Sequence, residues 1–181
     1  MATGEGARPA GLDAEFLHGL VERYEASWHA HDAAGFLACH TEDCVWEMPL
    51  IYPDGIARGH AQIRAECERA WATIPDLHFH TTDLFVSVDG ERAVQRWRGQ
   101  GTMTGRADPP GFAPTNQPVE MAGVSIWEFS GERLSHVTEY FDTTAVARQI
   151  GLVPQPQTTG DKLGVLLQRM AARRMRRRAG R

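Results

Sequence analysis

Two dipeptides, Asp89-Gly90 and Ser130-Gly131, restrict this chain more than any other feature, because each sits between two strand-like runs. "LHFHTTDLFVSV" and "RAVQRWRGQG" flank the first, and "VEMAGVSIWEF" and "RLSHVTEYF" flank the second. Such a dipeptide between alternating runs signals a tight turn joining antiparallel strands. The first half of the chain reads differently. Phe16, Leu17, Leu20, Val21, Tyr24 and Trp28 recur at helical spacing behind Asp13, which is placed to cap. "DAAGFLACH" reads as a second short helix, and Ile63, Cys67, Ala70, Trp71 and Ile74 mark a third that ends around Pro75. Between them "CVWEMP" alternates as a strand stopping at Pro49, and "IYPDGIARG" reads as a turn-rich loop. Helices first and antiparallel strands afterwards predict an α+β domain whose curved sheet wraps over helices. A doubly wound sheet needs regular strand–helix alternation, which this order lacks.

The remaining segments complete a single-domain layout. Residues 104–118, with Pro109-Pro110, form a loop long enough to cover something, and "TTAVARQIG" reads as a short helix ending at Gly151. The expected division is a disordered lead over 1–11, the α+β domain over 12–153, a linker over 154–161 and a basic amphipathic helix over 162–181. At 181 residues the chain suffices for one domain with a real core. The N-terminal "MATGEGARPAG" lacks the apolar centre of a secretory signal. Cys39, Cys44 and Cys67 lack metal-type spacing and read as buried thiols in a reducing cytoplasm.

Charge divides the chain into two materials. Residues 1–160 hold 22 acids against 11 Lys and Arg, a balance of −11, whereas 161–181 hold one acid against eight bases, a balance of +7. Leu163, Leu166, Leu167 and Met170 form a stripe on this tail, and seven arginines follow from Arg169 onward. A basic amphipathic helix can lie on an anionic membrane or bind nucleic acid. No nucleic-acid motif accompanies it, and docking on the acidic body of its own or a partner subunit is the blander expectation.

Functional reading turns on the last hairpin. A four-residue loop sets Phe129 opposite Leu134, and alternation then puts Phe129, Trp127 and Ser125 on one face with Leu134, His136, Thr138, Tyr140 and Asp142. The other face carries Val124, Ile126, Val137 and Phe141 with Glu128 and Glu139. Aromatic walls with a few convergent polar groups describe a small-molecule pocket, so the first face is expected to line it. A one-residue change of register swaps the two. Asp142 stands before a helix and reads equally as an N-cap or as an acid/base group. His136 is either pocket-lining or structural. Tyr24, Trp28, Trp46, Trp71 and Trp97 are candidates for the wall, although aromatics at such spacings also build cores. "HAH" at 29–31 lacks a third nearby ligand, so no metal is expected.

"IPDLHFHTTDLFVSVDGERAV", "GTMTG" and "PTNQPVEMAGVSIWEFSGERLSHVTEYFDTTAVARQIGLVP" together resemble the SnoaL-like polyketide cyclases of the nuclear-transport-factor-2-like superfamily. The "W" and "HD" of the first helix and "RGHAQIR" before the third helix agree with that likeness, which covers about residues 15 to 155. The resemblance implies a cone-shaped fold enclosing a deep cavity, a homodimer or homotetramer, and a hydrophobic polyketide-like substrate. It also implies cofactor-free ring closure by intramolecular aldol addition, with an acid on a late strand as base. By position Asp142 or His136 is the nearest match, with Tyr24, Trp28, Trp46, Glu47, Trp97, Trp127, Thr138 and Tyr140 about the substrate. Glu47 stands where steroid isomerases of the superfamily carry a base. Met103 replaces the imidazole of the "GTHTG" found in many relatives, and Thr138 stands where Trp is frequent. Rival readings on the same scaffold are an epoxide hydrolase or isomerase, which needs Asp142 and Glu47 to converge, and an apolar-ligand-binding protein without turnover.

Overall fold

A computed structural model describes residues 12–48 and 55–179 of the chain. The expectations for 1–11, for Pro49 and for 51–54 lie outside the described residues. Helices α1 (Ala14–His29) and α2 (Ala33–Ala38) come first, then β1 (His40–Glu47), β2 (Ile56–Arg58) and helix α3 (Gly59–Thr73). Four strands follow, β3 (His78–Val86), β4 (Arg92–Thr102), β5 (Pro118–Ser130) and β6 (Arg133–Phe141), and then α4 (Thr143–Gln149) and α5 (Thr159–Ala179).

Aspartates start α1, α2 and α4, because a helix begins with backbone N–H groups that lack intrahelical partners. Asp13 accepts from Phe16 N at 2.7 Å, Asp32 from Ala34 N and Gly35 N at 3.0 Å each, and Asp142 from Ala145 N at 2.8 Å. Strand β2 falls inside the segment expected to be loop. It has only three residues, too few to show alternation, and it pairs antiparallel with β1 through Trp46 and Ala57.

The six strands form one sheet in the order β2-β1-β6-β5-β4-β3. Both expected hairpins are present, and only the β1–β6 contact is parallel among the described pairs. Helix α1 is tied to the β3 side, where Trp28 Nε1 donates to Leu77 O at 3.2 Å and Glu25 Oε1 accepts from Thr81 N at 2.6 Å. Leu17, Leu20 and Phe36 then pack against Trp127, Leu134 and Val137 in the buried core.

One register shift corrects the expected faces of β6. Phe129 pairs with Leu134 as the hairpin turn requires, but the next pair is Glu128 with His136. Ser135 is therefore an extra residue, and beyond it β6 presents its opposite side. Val137, Glu139 and Phe141 lie opposite Trp127, Ser125 and Gly123 on the concave face, while His136, Thr138 and Tyr140 lie opposite Glu128, Ile126 and Val124 on the outer face. The exchange buries Val137 completely and leaves Tyr140 54% exposed. Without the bulge an imidazole and a phenol would enter the core in place of Val137 and Phe141, leaving polar atoms to be satisfied there.

Helix α5 starts three residues before residue 162, because the Thr158 hydroxyl accepts the Asp161 N–H at 3.3 Å and so caps it. Leu163, Leu166, Leu167 and Met170 are all exposed, so the tail helix does not dock its stripe on its own body.

A single alanine inserted between His136 and Val137 moves every later residue of β6 by one place and forces the strand to choose between a second bulge and an inverted face. A loss of more than about 3 kcal/mol in urea unfolding is expected, or no cooperative transition at all. A midpoint like that of the unaltered chain would contradict the control of the inward face by the register of β6.

Candidate active site

The concave face of the sheet, helices α1, α3 and α4 and the loop before β5 enclose a cavity of about 280 Å³. Tyr24, Trp28, Trp46, Phe79, Trp97 and Phe141 supply aromatic wall, and Met48, Met103 and Met121 supply thioethers. Thr143, Val146 and Ile150 close one side from α4, so the Asp142 cap holds a helix that shapes the chamber. The loop covers another side with Ala107, Pro109 and Phe112. It is pinned to α3 where Gly105 N donates to Thr73 O at 3.0 Å, and a Cβ on Gly105 would run into the Ala72 carbonyl. Polar groups are few. Gln95 and Glu139 come from the sheet, and Thr73 and the ion-paired Glu66 and Arg69 come from α3.

Glu139 is the acid of this chamber. Burial opposes its charged form and pushes its carboxyl up to about 7. Two donors work against that rise. The Ser125 hydroxyl donates to Glu139 Oε1 at 3.4 Å, and the Trp46 indole acts on the same carboxylate although its N–H has no partner of ordinary geometry. Ser125 in turn accepts from Trp97 Nε1 at 3.0 Å, which orients the hydroxyl proton toward Glu139. Gly123 makes room for this indole, since a Cβ there would lie 2.6 Å from Trp97 Cζ2. Tyr24 stays protonated well beyond the ordinary phenol range, first because it is buried and second because Glu139 is near. The arrangement therefore offers one carboxyl able to give or take a proton near neutrality, within apolar walls.

The expected site residues divide cleanly. Tyr24, Trp28, Trp46 and Trp97 line the cavity. Trp127 and Trp71 do not: the first is wholly buried core, and the second stacks on His31 with ring centroids 4.9 Å apart. His136, Thr138 and Tyr140 are turned to the outer face by the bulge. There His136 Nε2 lies 3.5 Å from Glu47 Oε1, a contact without hydrogen-bond geometry. Glu47 shares that outer face and Asp142 is exposed at its cap, so the two do not converge. Unbroken alternation from Leu134 puts Glu139 on the outward side. The signal that could have found it is apolar: Val137 and Phe141 are its i±2 neighbours, and whichever face they occupy Glu139 shares. Among the described residues no group of three His, Cys, Asp or Glu side chains is placed to hold a metal ion, and no helix is long and apolar enough to cross a membrane.

A mixed sheet curved over helices around such a chamber is the nuclear-transport-factor-2-like fold. Residues 21–137 match the SnoaL-like domain, and the chain belongs to that family. No curated protein matches it in sequence. Solved structures agree on the fold. A candidate SnoaL-like polyketide cyclase from Jannaschia sp. CCS1 is 17% identical over 84% of this chain and 100% of its own, with a TM-score of 0.67. AclR, a candidate hydroxylase from Streptomyces galilaeus, is 20% identical over 80% and 90%, with a TM-score of 0.65. TerC, co-crystallised with polyporic acid, is 17% identical over 75% and 98%, with a TM-score of 0.61.

The raised Glu139 group has a thermodynamic consequence with a definite sign. The folded chain holds this proton up to about pH 7 while the unfolded chain releases it near 4.5, so stability drains away as pH rises through that window. Glu139→Gln removes the effect. Its stability relative to the unaltered chain should climb between pH 4.5 and 7 and then level off, by up to about 3 kcal/mol. Buried His40, whose imidazole is pushed down to about 4, loses stability toward acid, but this is common to both chains and cancels in the difference. Chemical denaturation of both proteins at several pH values checks this; a pH-independent difference would contradict it.

Proposed function

We propose that the chamber is the active site of a cofactor-free cyclase that uses Glu139 as acid and base on a hydrophobic polycarbonyl compound. The observation that carries this reading is a single carboxyl, poised near neutrality by burial, in a cavity walled by indoles. The Glu139 carboxylate takes a proton from a methylene flanked by two carbonyls, leaving an enolate. The enolate carbon bonds to the carbon of a third, more distant carbonyl of the same molecule, whose π pair moves onto oxygen. Glu139, now a carboxylic acid, returns the proton to that alkoxide. Charge and protons balance without a co-reactant, and the desolvated acid has its pKa near the working pH, where proton transfer is most effective.

The family assignment and the fold shared with candidate cyclases support the reading, as does a ligand chamber of aromatic lining. The base role considered for Asp142 passes to Glu139, because Asp142 is exposed and already bound to the first turn of α4. His136 has no part in the step as drawn. The hydrolase and isomerase alternative needed Glu47 and Asp142 together, an arrangement the fold does not make.

Proton abstraction can be followed without the natural substrate. In deuterium oxide, the chain should speed exchange at the central methylene of an aryl β-keto ester, read by proton NMR. Glu139→Gln is expected to slow this by roughly 10²–10⁴-fold. Asp142→Ser, which keeps a cap, should stay within about twofold. Loss of exchange in the Asp142 variant with retention in the Glu139 variant would reverse the assignment.

A further inference from the structure

Gln95 borders the cavity, yet the proton transfer drawn above makes no use of it. The side chain is 1% exposed. Its Nε2 donates to Thr81 Oγ1 at 2.7 Å. The Thr81 hydroxyl spends its one proton on Glu25 Oε1 at 2.6 Å, and Thr81 N donates to the same oxygen at 2.6 Å. A hydroxyl that has given its proton to a carboxylate offers only lone pairs to its next neighbour. The Gln95 group facing it must then be the NH2, and the carbonyl Oε1 is turned the other way. Amide orientation is ordinarily ambiguous; here the relay from Glu25 through Thr81 decides it. The Thr81 contact through Nε2 is the hydrogen bond the Gln95 side chain makes.

Position adds to this. Gln95 pairs across the sheet with Ser125, and Ser125 pairs with Glu139, so the three stand in one inward row. Two strand spacings put the backbones of Gln95 and Glu139 about 10 Å apart. A bicyclic aromatic ligand can reach both side chains, presenting a carbonyl to Glu139 and a substituent to Gln95. With the amide N–H taken by Thr81, the carbonyl of this cavity-lining residue is left to accept from a donor on the guest, and a guest bringing an ether oxygen instead is disfavoured.

We propose that Gln95 Oε1, oriented by Thr81 and Glu25, is a specificity-determining acceptor for a phenolic or enolic hydroxyl, so that the chamber selects hydroxylated aromatic ketones over their O-alkyl counterparts. The inference rests on the reading of the cavity as a substrate site, and names the substrate class that site takes. It assigns Gln95 a contact with substrate and makes Thr81 and Glu25 positioning residues.

The probes are 6-hydroxy-1-tetralone and 6-methoxy-1-tetralone, titrated at pH 6 against the full chain by quenching of tryptophan fluorescence. The unaltered protein should prefer the phenol at least about tenfold. Gln95→Met keeps the length and removes the acceptor, and should bring the ratio close to one. Thr81→Val leaves Gln95 in place but frees its amide to turn, and should also lower the ratio; it stands in if the Gln95 variant does not fold. Equal affinity for the two ketones in the unaltered chain, or an unchanged ratio in the variants, overturns the role of Gln95 and leaves the cyclase reading standing. Quenching by neither ketone overturns the substrate-site reading itself, and this proposal with it.

Discussion

One additional residue in a strand, Ser135, governs which side chains meet the cavity. Side chains on a strand alternate, so an inserted residue exchanges every later position between faces. With the insertion, Val137 and Phe141 face Trp127 and Gly123, and Glu139 comes inward with them. Apolar burial drives the exchange, since Val137 is fully enclosed and Tyr140 is released to the surface. The acid follows because it lies between the two apolar residues on their side of the strand.

That position sets the chemistry. A carboxylate in water is a weak base, and one in a dry pocket is strongly opposed by lost hydration. Ser125 and Trp46 offset part of this loss, and Trp97 fixes the direction of the Ser125 proton. The balance leaves Glu139 near 7 and able to exist in both forms. Tyr24 remains a neutral phenol beside it, so the chamber does not accumulate a second charge. Gly123 and Gly105 serve the same end at a distance, one admitting the Trp97 ring and the other letting the covering loop lie against α3.

Much of the architecture is legible in the chain. Asp13, Asp32 and Asp142 sit before apolar-periodic runs and do cap, because helix starts demand side-chain acceptors. Asp89-Gly90 and Ser130-Gly131 join paired strands as the turn chemistry requires. Tyr24, Trp28, Trp46 and Trp97 could be placed on the wall because helix phase and simple alternation hold where they lie. The acid was hidden for a specific reason. A bulge adds one residue without any marker in a period-two pattern, so His136, Thr138 and Tyr140 look like the pocket face until Leu134 and Val137 are both seen buried. Strand β2 was hidden by its brevity. Gln95 was hidden because its role depends on Thr81 and Glu25, which are 14 and 56 residues from their partners in the relay.

Where Glu139 releases its proton decides whether the chamber can carry this chemistry. Carbon-13 NMR of the chain labelled at the glutamate side-chain carboxyl, with Glu139→Gln used to assign the resonance, follows that proton directly. A midpoint near 7 is predicted. A midpoint at the ordinary glutamate value of about 4.3 would place the side chain in water and contradict the buried acid on which the chamber's chemistry depends.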